Sequence, residues 1–246
     1  RVEGNRATGV ELDSGDTLDA DIVVSNADSA ATYRYLLPEA SSRRWTRKKL
    51  DRARYSMSLF VWYFGTNRRY DDVPHHMILL GPRYRELLSD IFDSKVLAED
   101  FSLYLHRPTA TDASLAPAGC DTFYVLSPVP NLDGNTDWET AAEAYRARIA
   151  AALEETVLPG LSLHVATSRL LTPIDFRDRL FSFKGAAFGL QPILTQTAWF
   201  RPHNRSEDID GLYLVGAGTH PGAGMPGVIS SAKVLDDVVP DPWSAA

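Results

Sequence analysis

Cysteine is nearly absent from this chain. Cys120 stands alone among 246 residues, which rules out an internal disulfide and a cysteine-based zinc site. No apolar run reaches the length of a membrane-spanning helix. Positive charge is also short, with 25 Lys and Arg against 32 Asp and Glu and a net charge of -7. A globally acidic chain repels phosphate backbones, so nucleic acid is not an expected partner. A Walker loop, a G-x-S-x-G elbow and an H-E-x-x-H helix are all missing, and with them the classes that depend on them. His203 and His220 have no partners at ligand spacing. His75 and His76, read as neighbours in one strand, would point to opposite faces. No metal site is expected.

What is present reads as globular chain, 44% hydrophobic and 10% aromatic, with length enough for a real core. Arg1-Val2-Glu3 reads like the end of a strand, so the text reads as the back half of something longer. Val10, Leu12, Leu18 and Ala20 alternate around the turn Asp13-Ser14-Gly15-Asp16, which predicts a hairpin over residues 6–20. Ile22-Val23-Val24 is a short continuous apolar run, expected as a strand buried on both faces. A helix capped within residues 25–28 should follow and end at Pro38. Residues 41–54 carry seven basic side chains against one acid, a local charge of +6. That is either a solvated helix face or a contact for anionic lipid headgroups.

Residues 55–64 place Phe60, Trp62 and Phe64 on one face and Met57, Leu59, Val61 and Tyr63 on the other. With 76–80, 101–105 and 122–126 they predict a sheet covered on both sides, by helices or by helices and one large apolar ligand. That sheet should be separate from the one holding Ile22–Val24. Thr136 and Glu139 match a capping box for a helix displaying Trp138, Ala142, Tyr145, Ile149, Ala152 and Leu153. Asp175 and Asp178 read as cap or surface carboxylates. Leu212–Val215 forms another short apolar strand, expected beside Ile22–Val24.

That strand runs into a glycine-rich segment, Gly216 to Gly227, and a final helix starting near Pro226. Gly222-Ala223-Gly224-Met225-Pro226-Gly227 satisfies G-x-G-x-x-G literally. A dinucleotide fingerprint, however, begins directly after a strand and leads to a second strand ending in an acid. This run does neither, so it fails as one. Gly216 and Gly218 serve equally well as a close approach for a planar ligand or as a turn packing helix on strand. A helix start beyond them offers N–H groups and a positive dipole end, suited to a reduced flavin.

The segment Leu212-Tyr213-Leu214-Val215-Gly216-Ala217-Gly218-Thr219-His220-Pro221-Gly222-Ala223-Gly224-Met225-Pro226-Gly227-Val228 closely resembles the C-terminal flavin motif of bacterial phytoene desaturases. Residues 192–205 (PILTQTAWFRPHNR), 81–88 (GPRYRELL), 100–106 (DFSLYLH) and 24–28 (VSNAD) are similar to that family as well. The resemblance implies a mixed α/β fold that joins part of a Rossmann-like FAD domain (residues 1–50 and 201–246) to an antiparallel-sheet substrate domain (51–200). It implies an FAD-dependent oxidoreductase acting on an apolar, phytoene-like carotenoid, seated peripherally on the cytoplasmic side of the inner membrane. Gly216, Ala217, Gly218 and Thr219 would approach the ribityl and pyrophosphate part of FAD. Met225, Pro226, Gly227 and Val228 would sit under the isoalloxazine. The family's true G-x-G-x-x-G belongs to an N-terminal half that this sequence does not contain, and that half becomes an expected partner. No catalytic residue is therefore assigned. A carotenoid isomerase or ketolase, and a non-catalytic apolar-ligand module, stay open as alternatives.

Overall fold

Two short hairpins open the chain in the computed structural model, which describes residues 1–240. β1 (Val2–Glu3) pairs with β2 (Arg6–Ala7), and β3 (Gly9–Glu11) pairs with β4 (Thr17–Asp19) through the expected turn, where Gly15 takes φ +86°. β5 (Val23–Ser25) leads to α1 (Ser29–Ala31), whose first turn is capped by the Asp28 carboxylate accepting from Ala31 N at 2.9 Å. The helix continues as a π-helical turn, Thr32–Leu36, and stops before Pro38. α2 (Arg47–Arg52) follows in the basic segment, with its N-cap at Thr46. Trp45 and Leu50 are buried here. Asp208 anchors the entry, accepting the backbone N–H groups of Arg43, Arg44 and Trp45 at 3.0, 2.7 and 2.9 Å.

The chain then forms a second compact unit, Met57–Leu180, while Arg1–Ser56 and the chain from Phe181 onward form the first. Its strands are β6 (Ser58–Thr66), β7 (His76–Leu79), β8 (Leu103–His106), β9 (Asp121–Val129) and β10 (Val165–Leu171). Its helices are α3 (Tyr84–Ser89), α4 (Trp138–Thr156), α5 (Leu161–His164) and α6 (Pro173–Arg179). The sheet order is β10-β6-β9-β8-β7, antiparallel throughout. Phe60, Trp62 and Phe64 pair across β9 with Ser127, Val125 and Phe123, and this face buries against Trp138, Tyr145, Ile149 and Leu153 of α4. Phe60 meets Tyr145 edge-on at 5.0 Å, and the Tyr145 hydroxyl reaches Ser127 Oγ at 2.7 Å. Each such side chain, fully withdrawn from water, contributes roughly 1.5–3 kcal/mol. These aromatics lie in a different sheet from β5, as the alternation predicts.

Two expectations need correction and a third narrows. The α4 cap is Asp137, accepting from Glu139 N at 3.1 Å, rather than Thr136. A carboxylate one residue nearer the helix reaches the first free N–H group directly. Helices do not cover both faces of the five-stranded sheet along its length, which leaves the reading in which one face looks onto an apolar ligand. Leu59 and Val61 are buried on the face opposite α4, yet Tyr63 and Ile78 on the same face are 41% and 70% exposed. Finally, the Ile22–Val24 strand is not doubly buried: Val24 is 46% exposed. Its only ladder partner among the described residues is β11 (Leu212–Leu214), and a parallel strand draws its cover from neighbours and crossover helices on both sides.

The last elements are α7 (Met225–Lys233) and α8 (Leu235–Val238). Residues 241–246, the end of the expected third segment, lie outside the described residues. Among the described residues, no helix is long and apolar enough to cross a membrane.

Candidate functional site

β5 and β11 run parallel, Val23 against Leu212 and Ser25 against Leu214, so their carboxyl ends open on the same side. At that end the chain leaves β5 into the Asp28 cap of α1 and leaves β11 into the glycine-rich run. The two exits are locked together by contacts too close for side chains. A Cβ on Gly218 would stand 2.5 Å from Ser29 Oγ and 2.8 Å from Ser29 N, and Ser29 Oγ donates to the Gly218 carbonyl at 2.8 Å. Gly216 has φ +102°, and its N–H donates to Ser231 Oγ on α7 at 2.8 Å. Thr219 is buried and donates to Pro202 O at 2.6 Å. Asn204 Nδ2 lies 2.9 Å from His220 O and 3.2 Å from Leu214 O, tying the run to the strand behind it.

The predicted site residues fall into two groups. Gly216, Gly218 and Thr219 are buried and Ala217 half-buried at the strand exit, whereas Met225 (80% exposed) and Pro226 stand in the open on the first turn of α7. Gly227 and Val228 are half-buried behind them. Gly222 joins the groups, since a Cβ on Gly227 would meet its carbonyl oxygen at 2.6 Å. The α7 N-cap is Gly224, φ +98°, which has no side chain to accept the first N–H groups. These groups and the dipole behind them are free for an anionic ligand edge.

Two ionisable residues were not legible as site members. Arg201 is 3% exposed, donates through Nη2 to Leu190 O at 3.2 Å, and keeps Nε buried without a partner. Its Nη1 would lie 3.0 Å from a Cβ on Gly222, directly beneath the run. Burial lowers its pKa, opposed by the charge of Asp28. Asp28 is half-buried as a residue, but its carboxylate is crowded, with Oδ2 3.4 Å from where a Cβ on Gly189 would stand. Desolvation raises its pKa, outweighing the N–H groups of Ala31, Ala30 and Phe183 and the Arg201 charge, all of which lower it.

In the second unit, the face turned away from α4 gathers Tyr63, Tyr124, Leu126, Tyr104 and Ile78 through cross-strand pairs. Tyr124 lies 5.7 Å from Tyr63 and 5.6 Å from Tyr104, ring to ring. Burial and the Tyr104 hydroxyl push its pKa up to about 12. At the end of this face the histidines overturn the sequence expectation. His75 precedes β7, so strand alternation does not govern it, and its Nε2 lies 2.7 Å from Nε2 of His106. Ligand atoms of His75, His76 and His106 all lie within 4.8 Å of one another. The His106 pKa is lowered, by burial first and then by His75 and His76.

Residues 1–234 match the family described as flavin containing amine oxidoreductase. The chain belongs to that family. Among curated members it is 53% identical over 241 residues to a neurosporene-forming phytoene desaturase of Rhodobacter capsulatus, covering 96% of this chain and 46% of the relative. It is 51% identical to a lycopene-forming phytoene desaturase of Pantoea ananas (96% and 49% covered) and 42% identical to an all-trans-zeta-carotene desaturase of Myxococcus xanthus (96% and 45%). The chain thus spans about half the length of these relatives. The fold is shared with an oxidoreductase from Methanosarcina mazei, at TM-score 0.60 and 20% identity over 96% of this chain and 47% of that one.

A flavin suits the residues found here. The strand exit is bare of side chains, the α7 N-cap leaves backbone donors unclaimed, and a buried arginine nitrogen lacks a partner beside it. Burial also gives Asp28 a measurable signature. Its folded pKa is raised above the ordinary value of 3.8, so the folded state holds the proton more tightly than the unfolded one. Stability from this group is therefore greatest below the ordinary value and is lost as pH rises towards the folded value. Asp28→Asn keeps an acceptor for Ala31 N and removes the buried charge. Its unfolding midpoint should exceed that of the native chain at pH 7 and converge with it in acid. An equal offset at both pH values would refute this.

Proposed function

We propose that this chain is the C-terminal portion of an FAD-dependent phytoene desaturase, which introduces double bonds into an apolar polyene during carotenoid biosynthesis. The observation that carries the reading is the glycine-rich exit of β11, packed on the capped exit of a parallel β5. When bound, FAD supplies the acceptor for hydrogen removed from the saturated carbons beside the polyene. Gly216 to Thr219 let the ribityl and pyrophosphate part lie against the backbone. Met225 to Val228 present the positive end of α7 to the isoalloxazine edge, where negative charge would be stabilised by about 0.3–1 kcal/mol. Arg201 adds a buried cation beneath that run. The open face bearing Tyr63, Tyr104, Tyr124 and Ile78 supports an apolar, flat-sided substrate. Peripheral membrane contact, on the cytoplasmic face of the inner membrane, is supported by the basic segment around α2. Its side chains share a groove with Phe200, and Leu194 and Trp199 are 82% and 71% exposed close by in sequence.

This reading predicts weak FAD binding by the 246-residue chain on its own. Micromolar affinity needs about 8 kcal/mol. A nucleotide cofactor draws much of it from pyrophosphate held at a strand–G-x-G-x-x-G–helix turn, which this sequence does not contain. Titration followed by flavin fluorescence should give no tight binding until a polypeptide carrying that turn is joined upstream. The joined protein, supplied with phytoene, should yield neurosporene or lycopene. An isomerised or ketolated product would replace this reading with an isomerase or ketolase. Tight flavin binding without turnover would favour a non-catalytic module.

A further inference from the structure

We propose that His75, His76 and His106 form a three-imidazole site for a divalent first-row transition cation, with Zn2+ the natural occupant, at the β7–β8 edge of the second unit. His76 and His106 are cross-strand partners, so their rings project from the same face of the sheet. His75, just before the strand, folds back over them. Ring centroids are 4.3 Å apart for His75 and His76, 4.7 Å for His75 and His106, and 5.1 Å for His76 and His106.

The outward nitrogens are held in the way metal-bound imidazoles are held. His75 Nδ1 bonds to the Thr111 hydroxyl, and His76 Nδ1 bonds to the Tyr104 hydroxyl at 2.6 Å. When such a hydroxyl accepts from Nδ1–H, that tautomer leaves Nε2 as a lone-pair donor. His106 completes the set with an unsolved polar balance. Its Nε2 faces only His75 Nε2, while its Nδ1 is buried with no partner. With Nε2 unprotonated, His106 accepts from His75 Nε2–H or meets its lone pair at 2.7 Å, and its Nδ1–H is a buried donor with no acceptor. If Nε2 does carry a proton, Nδ1 is a buried acceptor with nothing to accept. A cation between the two Nε2 atoms draws both lone pairs to itself, with His75 and His106 each carrying the proton on Nδ1.

The space fits. Tetrahedral Zn2+ at 2.0–2.1 Å from each nitrogen sets ligand atoms about 3.3 Å apart. That value lies between the 2.7 Å of the closest pair and the 4.8 Å that bounds all three. His76 is exposed, so its ring can make the remaining adjustment. Three neutral ligands leave a fourth position for water, and a chain of net charge -7 favours the cation at long range. Imidazole donors also suit Cu2+ and Ni2+, with Cu2+ the tightest by the usual order. Occupancy would tie β7, β8 and the turn at Thr111 together beside the open tyrosine face.

The complete chain, freed of metal by chelator, is titrated calorimetrically with Zn2+ and, in parallel, with Co2+ followed by visible absorption. One equivalent with tetrahedral cobalt bands is expected. His76→Gln, at an exposed position that does not threaten folding, should weaken Zn2+ binding at least tenfold, and His106→Gln likewise. Tyr104→Phe removes the outer partner of His76 and should weaken it about 10–100-fold. His164→Gln, whose ring contacts Asn67, should leave it unchanged. Absence of stoichiometric binding, binding unaffected by His76→Gln, or equal loss in His164→Gln would overturn the proposal. Circular dichroism of each variant separates lost ligands from lost fold.

Discussion

Asp121→Ala is expected to lower the stability of the second unit by about 3–5 kcal/mol. Asp121 is 1% exposed at the start of β9, and its carboxylate accepts from Tyr70 N at 2.8 Å, Arg107 Nε at 2.9 Å and Thr109 Oγ1 at 2.6 Å. Arg107 is itself 2% exposed and also donates to Val73 O at 2.8 Å. Alanine would leave a guanidinium buried with only partial compensation, together with an orphaned N–H and hydroxyl. Removing one partner of a buried pair is far costlier than removing both, because the remaining charge stays desolvated. The double change Asp121→Leu with Arg107→Met should therefore cost less than Asp121→Ala alone. Hydrogen exchange of the β9 amides and urea unfolding together give the measurement. A loss below about 1 kcal/mol would show that Arg107 escapes to water at little expense.

Gly218→Val should reduce flavin retention and turnover of the upstream-joined protein on the order of 100-fold. The position does not demand glycine for its backbone angles; it demands it for space. A Cβ would lie 2.5 Å from Ser29 Oγ, 2.8 Å from Ser29 N and 3.0 Å from Ser29 Cβ. Ser29 opens α1 and its backbone cannot retreat without moving the helix. Overpacking of this kind costs about 1–3 kcal/mol, which the fold can survive. The strand exit, however, would be displaced from whatever lies above it. Absorbance of flavin retained through gel filtration, compared with far-ultraviolet circular dichroism, separates the two effects. A folded variant holding full flavin would place the cofactor elsewhere.

Local patterns were the legible part of this chain. The β3–β4 turn, the alternation of Phe60, Trp62 and Phe64, and the α4 stripe of Trp138, Tyr145, Ile149 and Leu153 follow from periods of two and near four residues. The β5–β11 pairing was legible because both runs are short, apolar and end in small residues. What escaped depends on partners far away in sequence. Asp208 is one acid among many until its carboxylate is seen to gather three N–H groups near Trp45. Arg201 could be flagged only as a basic residue beside aromatic ones, since its burial comes from the glycine run and Leu190. Strand reading misplaced His75 because the strand begins one residue later. Val24 looked like core because apolar sequence states what a residue prefers, and exposure depends on what the rest of the chain provides.

The division of the chain into an unbroken stretch, Met57–Leu180, and a unit drawn from both sides of it also sets an order of assembly. During synthesis β5 emerges long before β11, and their parallel ladder has to wait for everything between them. Closing a coil of that length is entropically unfavourable, although each doubling adds only about 0.6 kcal/mol. The intervening stretch can fold first on its own hairpins, which contracts the coil the ladder must close. Until then Val23 and Val24 form an unpaired strand edge, the kind of surface on which nascent chains associate. A lesion in the inserted sheet should therefore appear first as slow, aggregation-prone recovery of the β5–β11 unit, though no contact of that unit has been altered.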